Sequence, residues 1–293
     1  MGIINSKLLV IIITFNGMQW IEKCISSVLN SSYPSDIFIV DNGSTDGTIE
    51  FLDKLSNKII LIKSKYNLGF GKANNLGLKY ALENSYDYVY LLNQDAWVLD
   101  KTFEILINCL KKNSDIGIIS PLQVDSSLSK LDSNFSNCCP NEMLSDSLFK
   151  DLKDVYYCNF VMAAHWMITA KCLRKIGGFS PIFPHYGEDN NYSQRVLMKG
   201  FKIAIESKVL GVHDRDNRVV SRDKLLYLRY VKTLIIFANP NQKFKLIRIL
   251  FIYVYNLLTN FSWNFFNLFL KFIIRIPQNY IYYKQSFKLK PFL

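Results

Sequence analysis

Apolar residues change rhythm along this chain. Short unbroken runs, the pattern of strands covered on both faces, stand at residues 7–15, 37–40, 59–62 and 88–92. The segments between them carry a helical stripe instead. In residues 17–29 the apolar positions Trp20, Ile21, Cys24, Ile25 and Val28 share one helical face. Residues 48–55 and 72–83 also read as helices, and Ser44 or Thr45 can cap the first of these. Strand then helix, three times over with short loops, predicts a parallel sheet with crossover helices. A helix is expected at 102–112, a strand at 116–120, and a short helix at 171–176 closed by Gly177 and Gly178. Residues 188–199 predict a helix closed by Gly200, with strands at 201–205 and 209–212. Residues 121–153 are rich in Ser and Asn and weakly periodic, and predict a long mobile loop, as in lids.

Four strand ends open into polar loops, and in a parallel sheet these ends share one edge. Thr14, Phe15 and Asn16 follow the first run, and Asp41 and Asn42 follow the second. They would suit a base and ribose, with Asp41 accepting from a base N–H or ribose hydroxyls. The third loop brings Asn67, Gly69 and Lys72, its glycines permitting close backbone approach. The fourth is Asn93-Gln94-Asp95. An oxygen ligand such as Asp95 suits Mg²⁺ or Mn²⁺ on a nucleotide diphosphate. The alternative is that Asn93 to Asp95 only caps a following helix. No GxGxxG follows the first strand and no GxxxxGK[ST] occurs, against a dinucleotide fold and a P-loop.

Length allows one large α/β domain with an appendage. Six scattered cysteines with no CxxC pair read as reduced thiols in a cytosolic setting. The apolar stretch at 8–15 is too short to span a bilayer and lacks a following cleavage site, so a strand is expected there. Charge is uneven. Residues 218–293 hold 13 Lys and Arg against one acid, Asp223, while residues 1–217 hold 22 against 23. The excess of +11 therefore sits in the last quarter and points to an anionic partner surface.

Four ordered runs are VDNGSTDGT (40–48), NLGFGKANNLGLKYA (67–81), LLNQDAWV (91–98) and HYGEDNNYSQR (185–195). Together they resemble inverting family 2 glycosyltransferases of the GT-A fold, and most of all bacterial members that include rhamnosyltransferases. The resemblance covers roughly residues 8–212. It implies a single mostly parallel nucleotide-binding sheet flanked by helices. The donor-binding part would be about 1–120 and the acceptor and catalytic part about 121–217. Asn93-Gln94-Asp95 stands at the family's DxD position with Asn for the first Asp, so Asp95 would carry most of the metal binding. Asp41 matches the nucleoside-contacting acid, and Asn74 and Asn75 fall near ribose and diphosphate. Glu188-Asp189 matches the ED motif, whose aspartate is the general base. His213 falls where some members place a further metal-binding histidine. The QxxRW motif of processive synthases is absent, which favours single addition.

Each of these residues also has a plainer reading. Glu188 and Asp189 can be first-turn acids complementing a helix dipole. His185 can contact acceptor or phosphate, or simply pack. Trp166 can stack on a sugar or fill the core. His213 can hold metal or diphosphate, or be a strand-end histidine without a ligand.

In the tail, residues 221–237 predict a basic helix broken by Asn239-Pro240. No charge lies between Arg248 and Lys271. Asn256, Asn260, Asn264, Asn267, Lys271 and Arg275 form a polar stripe, with Val254, Leu258, Phe261, Phe265, Phe269 and Phe272 opposite. This describes amphipathic helices over 218–293 lying on an anionic membrane, peripheral and at the cytoplasmic face of the inner membrane. Packing on the domain, a homodimer, and a true span are the alternatives. The expected activity is metal-dependent transfer from a nucleotide-diphosphate sugar, dTDP-rhamnose or a UDP-hexose, to a glycan or polyprenyl-linked acceptor of a bacterial surface polysaccharide. No nucleic acid is expected, since the tail does not interleave charge throughout. A nucleotidyltransferase, or a non-catalytic membrane-associated nucleotide-binding protein, is the alternative.

Overall fold

The computed structural model describes residues 6–214, 221–243, 245–259, 263–288 and 291–293, with the backbone alone for Arg222 and 256–259. The chain opens with β1 (Leu8–Thr14), α1 (Ile21–Leu29), β2 (Asp36–Asp41), α2 (Thr48–Asp53), β3 (Ile60–Lys63), α3 (Phe70–Glu83) and β4 (Tyr88–Asn93). β1 lies between β2 and β4, and β3 pairs with β2, all in parallel. Alternate side chains of β1 enter opposite layers. Leu9 and Ile11 pack in one core cluster with Ala73 and Leu78 of α3, while Leu8, Val10 and Ile12 pack in the other with Ile21, Cys24 and Ile25 of α1. Two covered faces explain why the run is apolar throughout.

Beyond β4 the sheet is mixed. β5 (Ala96–Val98) and α4 (Thr102–Lys112) lead to β6 (Ile116–Val124). After α5 (Asn141–Leu148) come β7 (Val155–Cys158), β8 (His165–Thr169), α6 (Ala170–Ile176), α7 (Glu188–Met198) and β9 (Lys202–His213). The sheet order is β3-β2-β1-β4-β8-β6-β9-β5, with β7 also on β9. β8 runs antiparallel between β4 and β6, β6 and β9 are parallel, and β5 and β7 are antiparallel to β9. The parallel expectation therefore holds for the first four strands, where each crossover is a helix. It stops where β8 returns to the sheet in the opposite direction.

Three local expectations change. The stretch 121–153 is not one mobile loop. β6 continues to Val124, a 3₁₀ turn spans Phe135–Cys138, and α5 follows. Buried Phe135 and Met143 pin the turn and helix to the core, single anchors too widely spaced to register as periodicity. The strands expected at 201–205 and 209–212 are one strand, β9, with a register shift where Pro121 and Leu122 oppose Glu206 and Leu210. Neither Ser44 nor Thr45 caps α2, because Gly47 holds the cap position in the left-handed conformation.

The tail forms α8 (Arg222–Ala238), α9 (Lys245–Thr259) and α10 (Trp263–Gln285). They share a core of Tyr230, Leu234, Phe237, Ile249, Tyr253, Phe265 and Phe272, which also takes in Ile182 and Phe183 from the segment before α7. Each such side chain contributes roughly 1.5–3 kcal/mol when fully buried, so the tail is bound firmly to the domain. Among the described residues no helix is long and apolar enough to cross a membrane. The polar stripe does not run along one helix, since α9 ends at Thr259 and α10 begins at Trp263; the Asn256 side chain, Asn260 and Phe261 lie outside the described residues. Phe265 and Phe272, expected on an outward aromatic face, point into the tail's own core. At about 100° per residue α10 has a third sector holding Trp263, Leu270, Ile274 and Ile281, and that apolar sector is exposed along with the polar one.

Candidate active site

The ends of β1, β2 and β4 are sewn together by side chains. Gln94 Oε1 accepts from Thr14 Oγ1 at 2.7 Å and from the Phe15 amide at 2.9 Å, and Gln94 Nε2 donates back to the Phe15 carbonyl. A Cβ on Gly17 would sit 2.4 Å from Gln94 Oε1 and 2.5 Å from Thr14 Oγ1, so only glycine admits this clamp. Asn16 receives the Thr45 amide on Oδ1 and gives its own amide to Ser44 Oγ. The Met18 amide donates to Asp46, whose carboxyl is held below the usual range by hydrogen bonds from Thr48 and Met18 that outweigh the opposing effect of burial.

Asp41 is 0% exposed, and its oxygens accept from the amides of Gly43 and Ser44 and from Ser44 Oγ. Its carboxylate therefore shapes the loop that follows β2. Asn42 Oδ1 accepts from the Leu68 amide, and Asn67 Oδ1 accepts from the Gly69 amide, which ties the third loop to the second. Lys72 is exposed on the first turn of α3. Asn74 is buried and donates to its own helix at the Phe70 carbonyl. Asn75 holds the Phe179 backbone through both amide atoms and also donates to the Phe292 carbonyl. Both asparagines thus bond backbone groups of the protein itself.

Gln94 and Asp95 form the turn between β4 and β5, so no helix follows for Asn93 to Asp95 to cap. Asp95 is buried, and its carboxylate lies 3.4 Å from His213 Nε2. His213 ends β9 opposite Ala96 and is 1% exposed. Its Nδ1 lies 3.4 Å from Asp132, which is 3% exposed. The other Asp132 oxygen accepts from the amides of Asn134 and Phe135, capping the 3₁₀ turn. Asp132 was hidden in a segment that reads as loop, and the one signal for it was an Asp three residues before an isolated Phe. The Asp95 carboxylate and the His213 imidazole form a donor pair suited to a divalent cation. Among the described residues no three Asp, Glu, His or Cys side chains close a metal cage.

The second acidic group begins α7. Gly187 is left-handed (φ 85°), and a Cβ there would meet Val231 of α8 at 2.8 Å, so α8 packs directly on this turn. Asp189 accepts from the Asn190 amide at 2.8 Å and side chain at 3.2 Å, and from the Ala163 backbone. Burial raises its pKa above the ordinary carboxylate value, against the effect of those hydrogen bonds. Glu188 is 6% exposed, its Oε2 has no hydrogen-bond partner among the described residues, and burial followed by the Asp189 charge pushes its pKa up to about 8. Arg195 fastens α7 from below, donating to the carbonyls of Ile176 and Gly178 at 2.7 and 2.6 Å.

One backbone link joins the two acidic groups. The Asn93 amide donates to the Ala164 carbonyl, and the neighbouring Ala163 backbone serves Asp189. The β4–β5 turn and the start of α7 therefore meet across Ala163-Ala164. Trp166 does not reach this space. It is fully buried, donates to the Val161 carbonyl and lies in the core against Phe179 and Tyr192. His165 is likewise structural: Tyr90 Oη and the Val212 carbonyl hold its two ring nitrogens, and burial pushes its pKa down to about 3. His185 is exposed beside Tyr186, with its carbonyl accepting from Tyr227 Oη. Tyr227, on a tail helix, had no signal in the sequence that tied it to the α7 turn.

Comparison with known proteins gives the family and the fold. The poly-beta-1,6-N-acetyl-D-glucosamine synthase of Staphylococcus epidermidis is 31% identical over 109 residues, 36% of this chain and 26% of the synthase. The chain's matches span about a third or less of the length of such curated relatives. Staphylococcus aureus TarS, solved with UDP-GlcNAc, superposes with a TM-score of 0.58 at 16% identity, covering 93% of this chain and 82% of TarS 1–349. The mannosyltransferase PcManGT of Pyrobaculum calidifontis, solved with GDP-Man and Mn²⁺, gives 0.54 at 15% identity over 97% of this chain and 85% of the other. These neighbours carry the GT-A fold. The profile of Glycosyl transferase family 2 matches residues 9–167, more than half of the sequence, and the chain belongs to that family.

Proposed function

We propose that this glycosyltransferase moves a sugar, with inversion, from a nucleotide-diphosphate sugar such as dTDP-rhamnose or a UDP-hexose to a glycan or lipid-linked acceptor of a bacterial surface polysaccharide. The observation that carries the reading is the meeting of Asp189 with the Asn93–Asp95 turn across Ala163-Ala164. A base and a phosphate-side acid then face one sheet edge, where α/β folds bind nucleotides. The nucleotide sugars bound in TarS and PcManGT support the donor class.

Asp189 takes the proton of the acceptor hydroxyl while that oxygen bonds to the anomeric carbon and the bond to the diphosphate breaks on the opposite face. Direct displacement inverts the centre. A carboxylate with a raised pKa is better matched to this proton transfer than an ordinary one. The charge on Asp189, after burial, helps keep neighbouring Glu188 protonated, so the pair carries a single negative charge and Asp189 is the member that holds it. Asp95 and His213 would hold Mn²⁺ or Mg²⁺, which supplies positive charge for the departing diphosphate. Gln94, Asn16 and Asp41 keep the loops around the nucleotide in place.

The tail is read as a peripheral anchor at the cytoplasmic face of an anionic membrane. Phe251 of α9 is 70% and Ile274 of α10 77% exposed, and Lys271, Arg275 and Lys284 lie along α10. Apolar exposure with basic flanks suits an interfacial helix.

Hydrolysis of dTDP-rhamnose, UDP-galactose, UDP-glucose and GDP-mannose with Mn²⁺, Mg²⁺ or EDTA tests the activity. Release from one donor that needs the cation and is lost in Asp95→Ala is the expected result. A chain that neither turns over nor binds any of the four would overturn the reading. Flotation with phosphatidylglycerol vesicles tests the anchor, which Phe251→Asp with Ile274→Asp should abolish.

A further inference from the structure

A groove of about 350 Å³ runs between α8 and α10. Its volume is within the range of small-molecule sites, roughly 300–1,000 Å³. The polar stripe of α10 lines it with Asn264, Asn267 and Lys271, and α8 faces them with Asp223 and Tyr227. Leu226 and Leu268 complete the wall. The polar sector of α10 is therefore turned neither to the tail's core nor to the exposed apolar sector.

The lining has a distinct chemistry. Two amides, a carboxylate and an ammonium offer both donors and acceptors at short range. Sugar hydroxyls are donors and acceptors at once, so they match such a set, while the apolar C–H face of a pyranose matches Leu226, Leu268 and the Tyr227 ring. A phosphate alone would have little use for Asp223 or for two leucines.

The groove also leads to the catalytic turn. Tyr227 Oη donates to the His185 carbonyl at 3.0 Å, three residues before Glu188. Burial, and after it the Glu188 charge, raise the Tyr227 pKa, which places the phenol within electrostatic reach of that acid. Val231 and Ile235, one and two turns further along α8, pack against Gly187. One face of α8 thus forms the groove wall and the support of the base.

We infer that the α8–α10 groove is the acceptor subsite, holding a sugar unit of the acceptor beside the turn that carries Asp189. This rests on the transferase reading above and adds where the acceptor lies and what it must present, a carbohydrate with an apolar face. It also gives the tail a second task. Its exposed apolar sector would lie on the membrane, and its polar sector would receive the head of a lipid-linked glycan.

The test uses the full chain and four probes: the octyl glycosides of glucose, galactose, rhamnose and N-acetylglucosamine. Saturation-transfer NMR and calorimetry measure their binding below the micelle concentration. At least one should bind, and Asn267→Trp and Leu226→Trp, which fill the groove from opposite helices, should each weaken it about tenfold or more, a loss of about 1.4 kcal/mol. Melting temperatures unchanged by the substitutions show that the variants are folded. Binding of none of the four, or equal binding to wild type and both variants, overturns the subsite. Failure of the transferase reading is seen separately, as absence of donor binding and hydrolysis in the wild-type chain.

Discussion

The acids at the ends of β2 and at the start of α7 are buried in opposite ways. Asp41 is enclosed by three donors from its own loop. Glu188 is also buried, yet one of its oxygens has no hydrogen-bond partner among the described residues, and its neighbour Asp189 is held by one residue and one backbone group. Burial with full satisfaction depresses reactivity and stiffens a loop. Burial with a missing partner stores proton affinity. Asp41 in VDNGSTDGT is thus bound into its own loop, while the pair in HYGEDNNYSQR is held by fewer donors.

The largest effect should come from exchanging the two roles. Asp189→Asn should lower transfer by about 10²–10⁴-fold, the usual worth of a positioned base, with nucleotide affinity kept and the chain folded. Asp41→Ala should do the reverse. It leaves buried donors without an acceptor, at about 1–3 kcal/mol each, and should cut stability steeply in a denaturant titration. Catalysis per folded molecule would fall less. A stable Asp41→Ala chain with abolished nucleotide binding would show instead that Asp41 is a ligand, and the contrast would fail.

The Asp95–His213–Asp132 line lies between these extremes and sharpens the comparison. Asp132 is a positioning residue: it caps a 3₁₀ turn with one oxygen and orients the His213 ring with the other. A carboxylate behind a metal-binding histidine is worth about 10–100-fold in metal affinity. Asp132→Ala should weaken Mn²⁺ binding by that factor in an equilibrium titration followed by electron paramagnetic resonance, while UDP alone binds as before. Unchanged Mn²⁺ affinity would leave Asp132 with the cap alone.

How far the sequence revealed this follows from the same physics. The parallel half was legible, because each strand is covered on both faces and each crossover helix has a full stripe. The acids at strand ends and at the start of α7 were legible as positions. Their partners were not. Asp132 lies in a segment anchored by single residues, Phe135 and Met143, which leave no period. Trp166, Asn74 and Asn75 lay in recognisable surroundings, yet the fold spends them on core and backbone contacts. In the tail, a period of 3.6 separates faces but does not say which face meets protein. Phe265 and Phe272 went inward, the polar sector lines a groove, and the exposed apolar sector was a third arc.

The smallest effect is a slope. Glu188 has its pKa raised to about 8 in the folded protein, chiefly by burial and then by Asp189. Unfolded, a glutamate titrates near 4.3. Between these values the folded chain keeps a proton that the unfolded chain has released, so stability falls as pH rises through the window, with the whole cost present above about pH 8. Glutamine copies the protonated form and cannot ionise. Melting curves from pH 6 to 9 should therefore fall less steeply for Glu188→Gln than for wild type. The variant should be the more stable chain at pH 9, by an amount on the order of 1–3 kcal/mol, the cost of a buried polar group left unsatisfied. Asp189→Asn should flatten the same curve, since burial raises that carboxyl in the same direction. Parallel curves for wild type and Glu188→Gln would mean that Glu188 ionises without cost to the fold, and the difference between the two buried acids would then lie in their partners alone.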